Sequence, residues 1–194
     1  MAILNTLLTN GVNLDPIDSL GGIMELWINP SMGMSFSFTT TATASAIISL
    51  TASPTSTWFQ FDIPKDTAVF TETLTSAPAA GTLFFQQDLT IVVPKMSVYT
   101  RNQLNLLSRN RFIRAIFRDN NNRWWLTGLQ RGGQITGGSI TTGTNPGDAN
   151  GYTYTLQAQE PQPVFSISAA NGLGSGTSSW SGFTWSAAVV QTTP

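Results

Sequence analysis

The sequence predicts a mainly β protein, an antiparallel β-sandwich or barrel with one flanking α-helix at about residues 97–110. Short apolar segments recur roughly every ten residues between turn residues, which is typical of sandwiches and barrels. Within these segments apolar and polar residues alternate, as they do in half-buried strands. Only one segment has helical spacing, so a fold in which strands and helices alternate is not expected.

The first half of the chain contains several of these segments. We expect strands at residues 23–29, 34–38, 46–50, 58–63 and 68–74. Pro30 ends the first of them, and Pro64-Lys65-Asp66 joins the last two. Pro54 is expected to mark a turn, because proline has no N–H group to donate to a neighbouring strand.

The longest predicted strand lies at the centre of the chain. Apolar residues occur there at even spacing, interrupted only by Gln87: Leu83, Phe85, Leu89, Ile91 and Val93. Pro94 ends this strand, and Ser97 is positioned to cap the helix that follows. Met96, Thr100, Leu104 and Leu107 fall on one stripe of that helix, which is therefore expected to pack on the core.

The second half predicts a hairpin and a further strand. Residues 112–118 and 123–129 form the hairpin around the polar turn 119–122. Glycine pairs bracket Gln134 and Ile135, and a loop is expected from 141 to 151. Residues 152–158 alternate without interruption and predict a strand.

The 194 residues are expected to form one main domain at 22–163. Residues 1–21 are predicted to be an N-terminal arm. Residues 164–194 are rich in serine and glycine but retain four large aromatic side chains: Phe165, Trp180, Phe183 and Trp185. Flexible spacers carry few aromatic residues, so this extension is predicted to dock on its own subunit or on a neighbour.

The composition favours a subunit of an assembly. Hydrophobic residues make up 41% of the chain, which is ordinary, but only 10% of its residues are charged, against about 25% in a typical soluble domain. The net charge of −1 gives little repulsion between copies. The alternative is a β-domain whose surface is simply rich in hydroxyl groups.

Several classes of function are not expected. The chain has no cysteine and no histidine, so it lacks thiolate ligands, the commonest general base and the commonest transition-metal ligand. Its start does not resemble a signal peptide, and no apolar run is long enough to span a membrane. We therefore predict no enzymatic activity, no catalytic residues, no cofactor and no metal.

The charges are separated along the chain. Residues 1–94 carry seven acids and one base, giving −6, and residues 95–131 carry eight bases and one acid, giving +7. The remaining two acids bring the total to −1. The two segments could bring copies together head to tail, or they could pair within one chain. Nucleic-acid binding by the basic segment is less favoured because the sequence pI is near 5.2.

Two pairs of carboxylates were considered as glycosidase-like groups: Asp62 with Asp66, and Glu72 with Asp88. Such catalysis needs the two groups about 5–10 Å apart across a cleft. Nothing in their spacing requires that arrangement, so we interpret them as solvated acids at strand ends.

Other motifs also have structural interpretations. The segments 119–122 and 148–151 lack the full ligand spacing of calcium loops and are interpreted as turns. The glycines of 172–176 lack the flanking strand and helix of a nucleotide-binding motif. Trp124 and Trp125 could stack on a sugar, but adjacent strand residues face opposite sides. Use of the pair in a core and an interface is therefore favoured.

A set of short motifs occurs in order between residues 58 and 163. They are Phe59-Gln-Phe61, Ala68-Val-Phe-Thr-Glu-Thr73, Gly81-Thr-Leu-Phe-Phe-Gln-Gln-Asp-Leu-Thr90, Lys95-Met96, Thr100-Arg-Asn102, Asp119-Asn-Asn-Asn-Arg-Trp-Trp-Leu-Thr-Gly128, Gly143-Thr144, Gly147-Asp148, Asn150-Gly-Tyr152 and Thr155-Leu156. This set resembles structural proteins of tailed phages and prophages of Bacteroidota, which look like tail tube (major tail) subunits.

The resemblance implies a virion protein, assembled in the host cytoplasm into stacked hexameric rings. It would contact other phage tail proteins, and double-stranded DNA would pass through its channel without specific binding. Acids of the first half are expected to line that channel. Residues 39–57 and those after Pro163 depart from the family pattern. This departure leaves open a capsid decoration, a head–tail connector or a carbohydrate-binding β-module using Trp124, Trp125, Trp180 or Trp185.

Overall fold

The structure, a computed structural model, describes residues 17–30, 35–40, 46–167 and 181–186. These residues form eleven strands, one α-helix and one short 3-10 turn, Pro78–Ala80. The elements are β1 Ile23–Asn29, β2 Ser35–Thr40, β3 Ala46–Phe61, β4 Val69–Ala77, β5 Thr82–Pro94, α1 Val98–Ser108, β6 Arg114–Asp119, β7 Trp124–Thr127, β8 Gly133–Thr141, β9 Gly151–Glu160, β10 Phe165–Ile167 and β11 Ser181–Ser186. The prediction of a mainly β fold with one helix is confirmed.

The strands form two sheets. The larger contains seven strands in the order β1-β6-β7-β10-β3-β11, with β2 also on β3. Because β1 pairs with β3 as well, the pairings β1-β6-β7-β10-β3 form a closed circuit, as in a small barrel. The smaller sheet is an antiparallel set in the order β4-β5-β9-β8. Pairing is antiparallel throughout except where β10 and β11 run parallel to β3.

The barrel lies across the smaller sheet. At one end of β6, Ile113 forms an isolated bridge with Gly133 at the start of β8. Farther along β6, the ring of Phe117 packs 4.8 Å from that of Phe70 on β4. Strand β6 therefore crosses the smaller sheet from its β8 side to its β4 side.

Two apolar clusters fill this arrangement. One lies between the barrel and the smaller sheet: Ile23, Leu26, Ile28, Ala68, Leu89, Ile91, Leu104, Leu107, Ile113, Ala115, Phe117, Tyr152 and Leu156. The other uses the opposite side of the barrel strands and fills the barrel: Trp27, Trp58, Ile116, Leu126, Leu129 and Ile167. Residues 26–29 of β1 are consequently buried on both sides of the strand.

Strand β3 corrects one expectation. We predicted two strands, at 46–50 and 58–63, with a turn at Pro54, but β3 is continuous from Ala46 to Phe61. Its pairing with β2 ends at Ser53, and its pairing with β11 skips from Thr51 to Ser56. Pro54 therefore lies between the paired stretches, where its missing N–H group breaks no ladder.

Strand β8 is a strand that the sequence did not predict. It runs from Gly133 to Thr141, through the glycines that bracket Gln134 and Ile135. A register shift lies between Ile135 and Gly137. At Gly138 an added Cβ would come 2.7 Å from the carbonyl oxygen of Thr153, so the close approach to β9 requires glycine there.

The helix follows the sequence prediction. The Ser97 side chain accepts a hydrogen bond from the Thr100 backbone N–H at 3.1 Å, which caps the first turn. Leu104 and Leu107 are buried in the cluster between barrel and sheet. No described helix is long and apolar enough to cross a membrane.

The two terminal segments differ in how much is described. Residues 1–16 of the predicted arm lie outside the described residues. From the predicted C-terminal extension, β10 pairs with β7 and β3, and β11 pairs with β3. These described parts of the extension thus belong to the larger sheet of their own chain.

Candidate functional site

The carboxylates of the two candidate catalytic pairs do not share a cleft, but the interpretation of all four as solvated acids at strand ends is wrong for Glu72 and Asp88, which lie within β4 and β5, are half-buried and accept hydrogen bonds. Glu72 points toward the barrel, where its Oε1 accepts hydrogen bonds from Gln87 Nε2 at 2.9 Å and from the Val164 backbone N–H at 2.8 Å. Asp88 lies on the opposite face of the sheet and accepts from Gln86 Nε2 and Gln157 Nε2, both at 2.8 Å. Asp66 forms a long, exposed ion pair with Lys65 (3.9 Å), whereas Asp62 lines a groove beside α1.

The two segments that superficially resembled calcium loops are turns, as predicted. Asp119 Oδ1 accepts from the backbone N–H groups of Asn121 and Arg123. Asp148 Oδ2 accepts from those of Thr144 and Asn145, and these bonds lower the pKa of Asp148 below its ordinary value. Across the described ranges no three acidic side chains are grouped to hold a metal ion. The glycines of 172–176 lie outside those ranges.

Trp124 and Trp125 face opposite sides of β7, as their adjacency predicted. Trp125 packs on the cluster between barrel and sheet, and its Nε1 donates to Asp119 Oδ2 at 3.0 Å. Trp124 packs on the cluster inside the barrel, with the Arg118 guanidinium 5.5 Å from its ring centroid. Both rings are half-buried, so they do not form a flat stacking platform.

The outward face of the smaller sheet, which points away from the barrel, is polar and nearly uncharged. Its central strands present Gln86, Asp88 and Thr90 on β5, and Thr153, Thr155, Gln157 and Gln159 on β9. Thr71, Thr73 and Thr75 of β4 continue this surface, and its apolar members are Val69, Phe84 and Val92. All residues of β4, β5, β9 and β8 are described, and Asp88 is the only ionisable residue that these strands place on the outward face. The acids of the first half are thus not gathered on this face.

Both edges of the smaller sheet are open. Among the strands that the structure describes, β4 pairs only with β5 and β8 pairs only with β9. The one further contact of β8 is the isolated bridge between Gly133 and Ile113. The two edge strands run antiparallel to each other, because each neighbouring pair in the sheet is antiparallel. An edge β4 of one copy could therefore pair with an edge β8 of another and continue the sheet.

Charges of the two halves meet rarely within the chain. Arg118 and Glu25 form an ion pair of 3.1 Å that links the basic segment to the acidic half, and the exposed pair of Lys65 and Asp66 lies within the acidic half. Arg109, Arg111 and Arg131 lie on the β8 side, where Ile113 bridges Gly133. Asp66 and Asp119 lie on the β4 side, together with the cations Lys65 and Arg123. In the described part of the chain, basic and acidic side chains therefore gather on different sides of the molecule.

A buried polar network connects the barrel to the smaller sheet. Gln87 is 2% exposed, and its Oε1 accepts from Thr127 Oγ1 at 2.6 Å and from the Gly128 N–H at 3.3 Å. Its Nε2 donates to Glu72. The sequence signal for this network is Gln87 itself, the one polar residue in the apolar series of β5, but its spacing alone does not predict a buried partner.

A second buried group, Glu160, holds the loop that leads into β8. Its Oε1 accepts from the backbone N–H groups of Arg131 at 2.9 Å and Gln130 at 3.2 Å. Burial raises the pKa of Glu160, and those N–H groups and the nearby Arg114 oppose the rise. Burial in turn lowers the pKa of Arg114. The edge strand β8 therefore begins at a loop anchored on a buried carboxylate.

The raised pKa of Glu160 predicts a pH-dependent stability. The folded chain holds this proton more tightly than the unfolded chain, so the free energy of unfolding should fall as pH rises from about the ordinary value of 4.5 through the folded pKa. The Glu160→Gln variant has no carboxyl group to titrate at this position, so its free energy of unfolding should not show this fall. Its stability relative to wild type should therefore improve steadily over the same pH range. Urea unfolding of both proteins between pH 4 and 7 checks this. If the stabilities of the two proteins changed with pH in parallel, the prediction would be wrong. Asp148, whose pKa is shifted in the opposite direction, is present in both proteins and therefore does not affect the comparison.

Comparison with protein family models, with curated proteins and with solved structures found no match for this chain. Its function is therefore inferred from the geometry of the molecule.

Proposed function

We propose that this protein is a self-assembling virion structural protein, the subunit of a phage tail tube whose stacked rings enclose a DNA-conducting channel. The observation that carries the proposal is the smaller sheet, with one face buried against the barrel, one neutral polar face and two open antiparallel edges. Edge strands left open are a hazard for a monomer, and side-by-side pairing of copies removes it. The resemblance noted in the sequence supplies the identity of the assembly.

In this assembly the smaller sheets of neighbouring copies join into one closed barrel. Four strands from each of six copies give a closed barrel of 24 strands. With a strand spacing of about 4.8 Å and a tilt of about 40°, the diameter of this barrel between backbone atoms is roughly 48 Å. That is wider than a DNA duplex. The channel lining is then the threonine and glutamine surface with Asp88, which offers no cation to the phosphates. This lining replaces the acid-rich one expected from the sequence.

The test is negative-stain electron microscopy of the purified protein over a concentration series. We expect rings or tubes with an open bore. Growth of a tube can need an initiating complex, so the protein is also mixed with a fraction that contains tail tips. Particles that remain monomeric at every concentration under both conditions would overturn the proposal. Specific capture by isolated capsids or by a glycan array would instead indicate decoration or carbohydrate binding.

A lysine at the open edge of β8 should block lateral assembly. Gly137 is exposed and an added Cβ meets no atom within 4 Å, so Gly137→Lys should fold normally. Its charge would lie at the seam between copies, and we expect the concentration needed for ring formation to rise by at least about tenfold. Gly147→Lys is the matched control, since Gly147 has equally open space but lies in the loop before β9. Equal assembly by the two variants would place the seam elsewhere.

A further inference from the structure

An open groove lies beside α1, on the side of the helix that faces the end of β3. Its volume is about 630 Å³, and sites for small organic molecules usually measure about 300–1,000 Å³. One wall is a stripe of the helix at helical spacing, formed by Tyr99, Gln103 and Leu106. Phe59 and Asp62 lie on the opposite wall. The groove is therefore large enough to hold a small molecule between two elements of the fold.

The surface of the groove is mostly apolar and open to solvent. Phe59 is 42% exposed, Tyr99 is 43% exposed and Leu106 is 64% exposed. The base of the groove consists of buried residues of the cluster between barrel and sheet. Exposed apolar side chains that share one concave surface usually mark a place that a ligand or partner covers. The two aromatic rings can also attract a cation through their π faces.

Asp62 is the one charged side chain in the described lining of the groove. Lys65, the nearest cation along the chain, pairs with Asp66 instead. Among the described residues Asp62 has no cationic partner. A free carboxylate beside apolar surface attracts a positively charged group, and the attraction grows where that surface excludes water. The charge of the groove thus favours a cationic ligand over a neutral or anionic one.

Most other polar groups of the described lining are turned away or already bonded. The Asn110 carboxamide and the Thr100 hydroxyl form hydrogen bonds within the chain. Gln60 lies on the side of β3 that faces the barrel interior. A peptide brings an N–H and a C=O group with nearly every residue, and such a groove would leave most of them without partners. A ligand with a single polar head on an apolar body fits this surface better.

We propose that the groove beside α1 binds a small organic cation, an ammonium group carried on an apolar body. Asp62 holds the ammonium group, and the rings of Phe59 and Tyr99 add cation–π attraction. Leu106 covers the apolar body, and Gln103 offers a further polar contact. The inference does not depend on the proposed assembly, because a single copy of the chain supplies every residue of this site.

Isothermal titration calorimetry of the purified full chain with octyltrimethylammonium, kept well below its micelle concentration, tests the proposal. We expect saturable binding of one molecule per chain that weakens as salt is added, because salt screens the attraction between the two charges. Octyl glucoside and octyl sulfate share the apolar chain but lack the positive charge, so they should bind at least about tenfold more weakly. Absence of saturable binding, or equal binding of all three compounds, would overturn the proposal.

Two pairs of variants locate the site. Asp62→Asn should weaken the binding of octyltrimethylammonium by about tenfold and remove most of its salt dependence. Asp66→Asn is the matched control, since Asp66 is an exposed acid of the same loop that does not line the groove. Leu106→Ala should weaken binding by about fivefold through lost apolar contact. Its control is Val98→Ala, because Val98 is on the same helix and 75% exposed but lies outside the groove.

Two results with these variants would contradict the proposal. Equal losses in a variant and in its control would show that octyltrimethylammonium binds elsewhere on the surface. A leucine-rich peptide with one lysine that binds more tightly than octyltrimethylammonium, and loses its affinity in Asp62→Asn, would assign the groove to a protein partner instead. Circular dichroism of each variant shows whether a loss of binding comes from a loss of fold.

Discussion

Replacing Gln87 by leucine is expected to lower the free energy of unfolding by about 2–4 kcal/mol, although leucine fits the apolar pattern of β5 better. The change leaves the buried Thr127 hydroxyl without its acceptor and removes the donor to Glu72, and each buried polar group that loses its partner costs about 1–3 kcal/mol. Urea unfolding at neutral pH, followed by tryptophan fluorescence, measures the loss.

Two further variants separate this network from the general effect of a larger apolar side chain. Gln159→Leu makes the same change at an exposed position on the outward face, and we expect it to alter stability by no more than about 0.5 kcal/mol. Gln87→Leu/Thr127→Val removes both partners, so it should be more stable than the single variant. A neutral Gln87→Leu would show that the network does not hold the barrel on the sheet.

Replacing Trp58 by alanine is expected to cost about 3–5 kcal/mol, the largest effect of any single change we predict. Trp58 is completely buried inside the barrel, where β1, β6, β7 and β10 also contribute side chains. Deleting the indole leaves a cavity that surrounding strands in a closed circuit cannot easily collapse to fill. Thermal and urea unfolding, with circular dichroism to monitor the sheets, measure the loss.

The matched control for this cavity is the next residue along the strand. Phe59 points away from the barrel and is 42% exposed, so Phe59→Ala should cost only about 1 kcal/mol. Comparable losses from both substitutions would indicate that the barrel interior is not the principal core of this half of the molecule.

In the proposed assembly, lateral pairing would use the open edges of β4 and β8. The low fraction of charged residues fits this proposal, since surfaces covered in an assembly need few of them.

Much of the local structure could be predicted from the sequence because its causes are local. The alternation in β9, the capping serine of α1 and the turn at Asp119 each depend on residues within a few positions of one another. The helix stripe correctly identified Leu104 and Leu107 as buried, but it was wrong for Met96, which precedes the helix and is 38% exposed. The same reasoning failed at Pro54, since whether a proline breaks a strand depends on whether distant strands pair beside it.

The sequence by itself determined a mainly β protein with one helix and a surface poor in charge and in reactive groups. Only the tertiary structure decided which strands have open edges and why Gln87 is buried. These features depend on pairing between segments far apart in the chain, such as β5 with β9, where Thr90 meets Thr155. Periodicity fixes how a strand alternates, but the partner it pairs with is chosen by the packing of the whole chain.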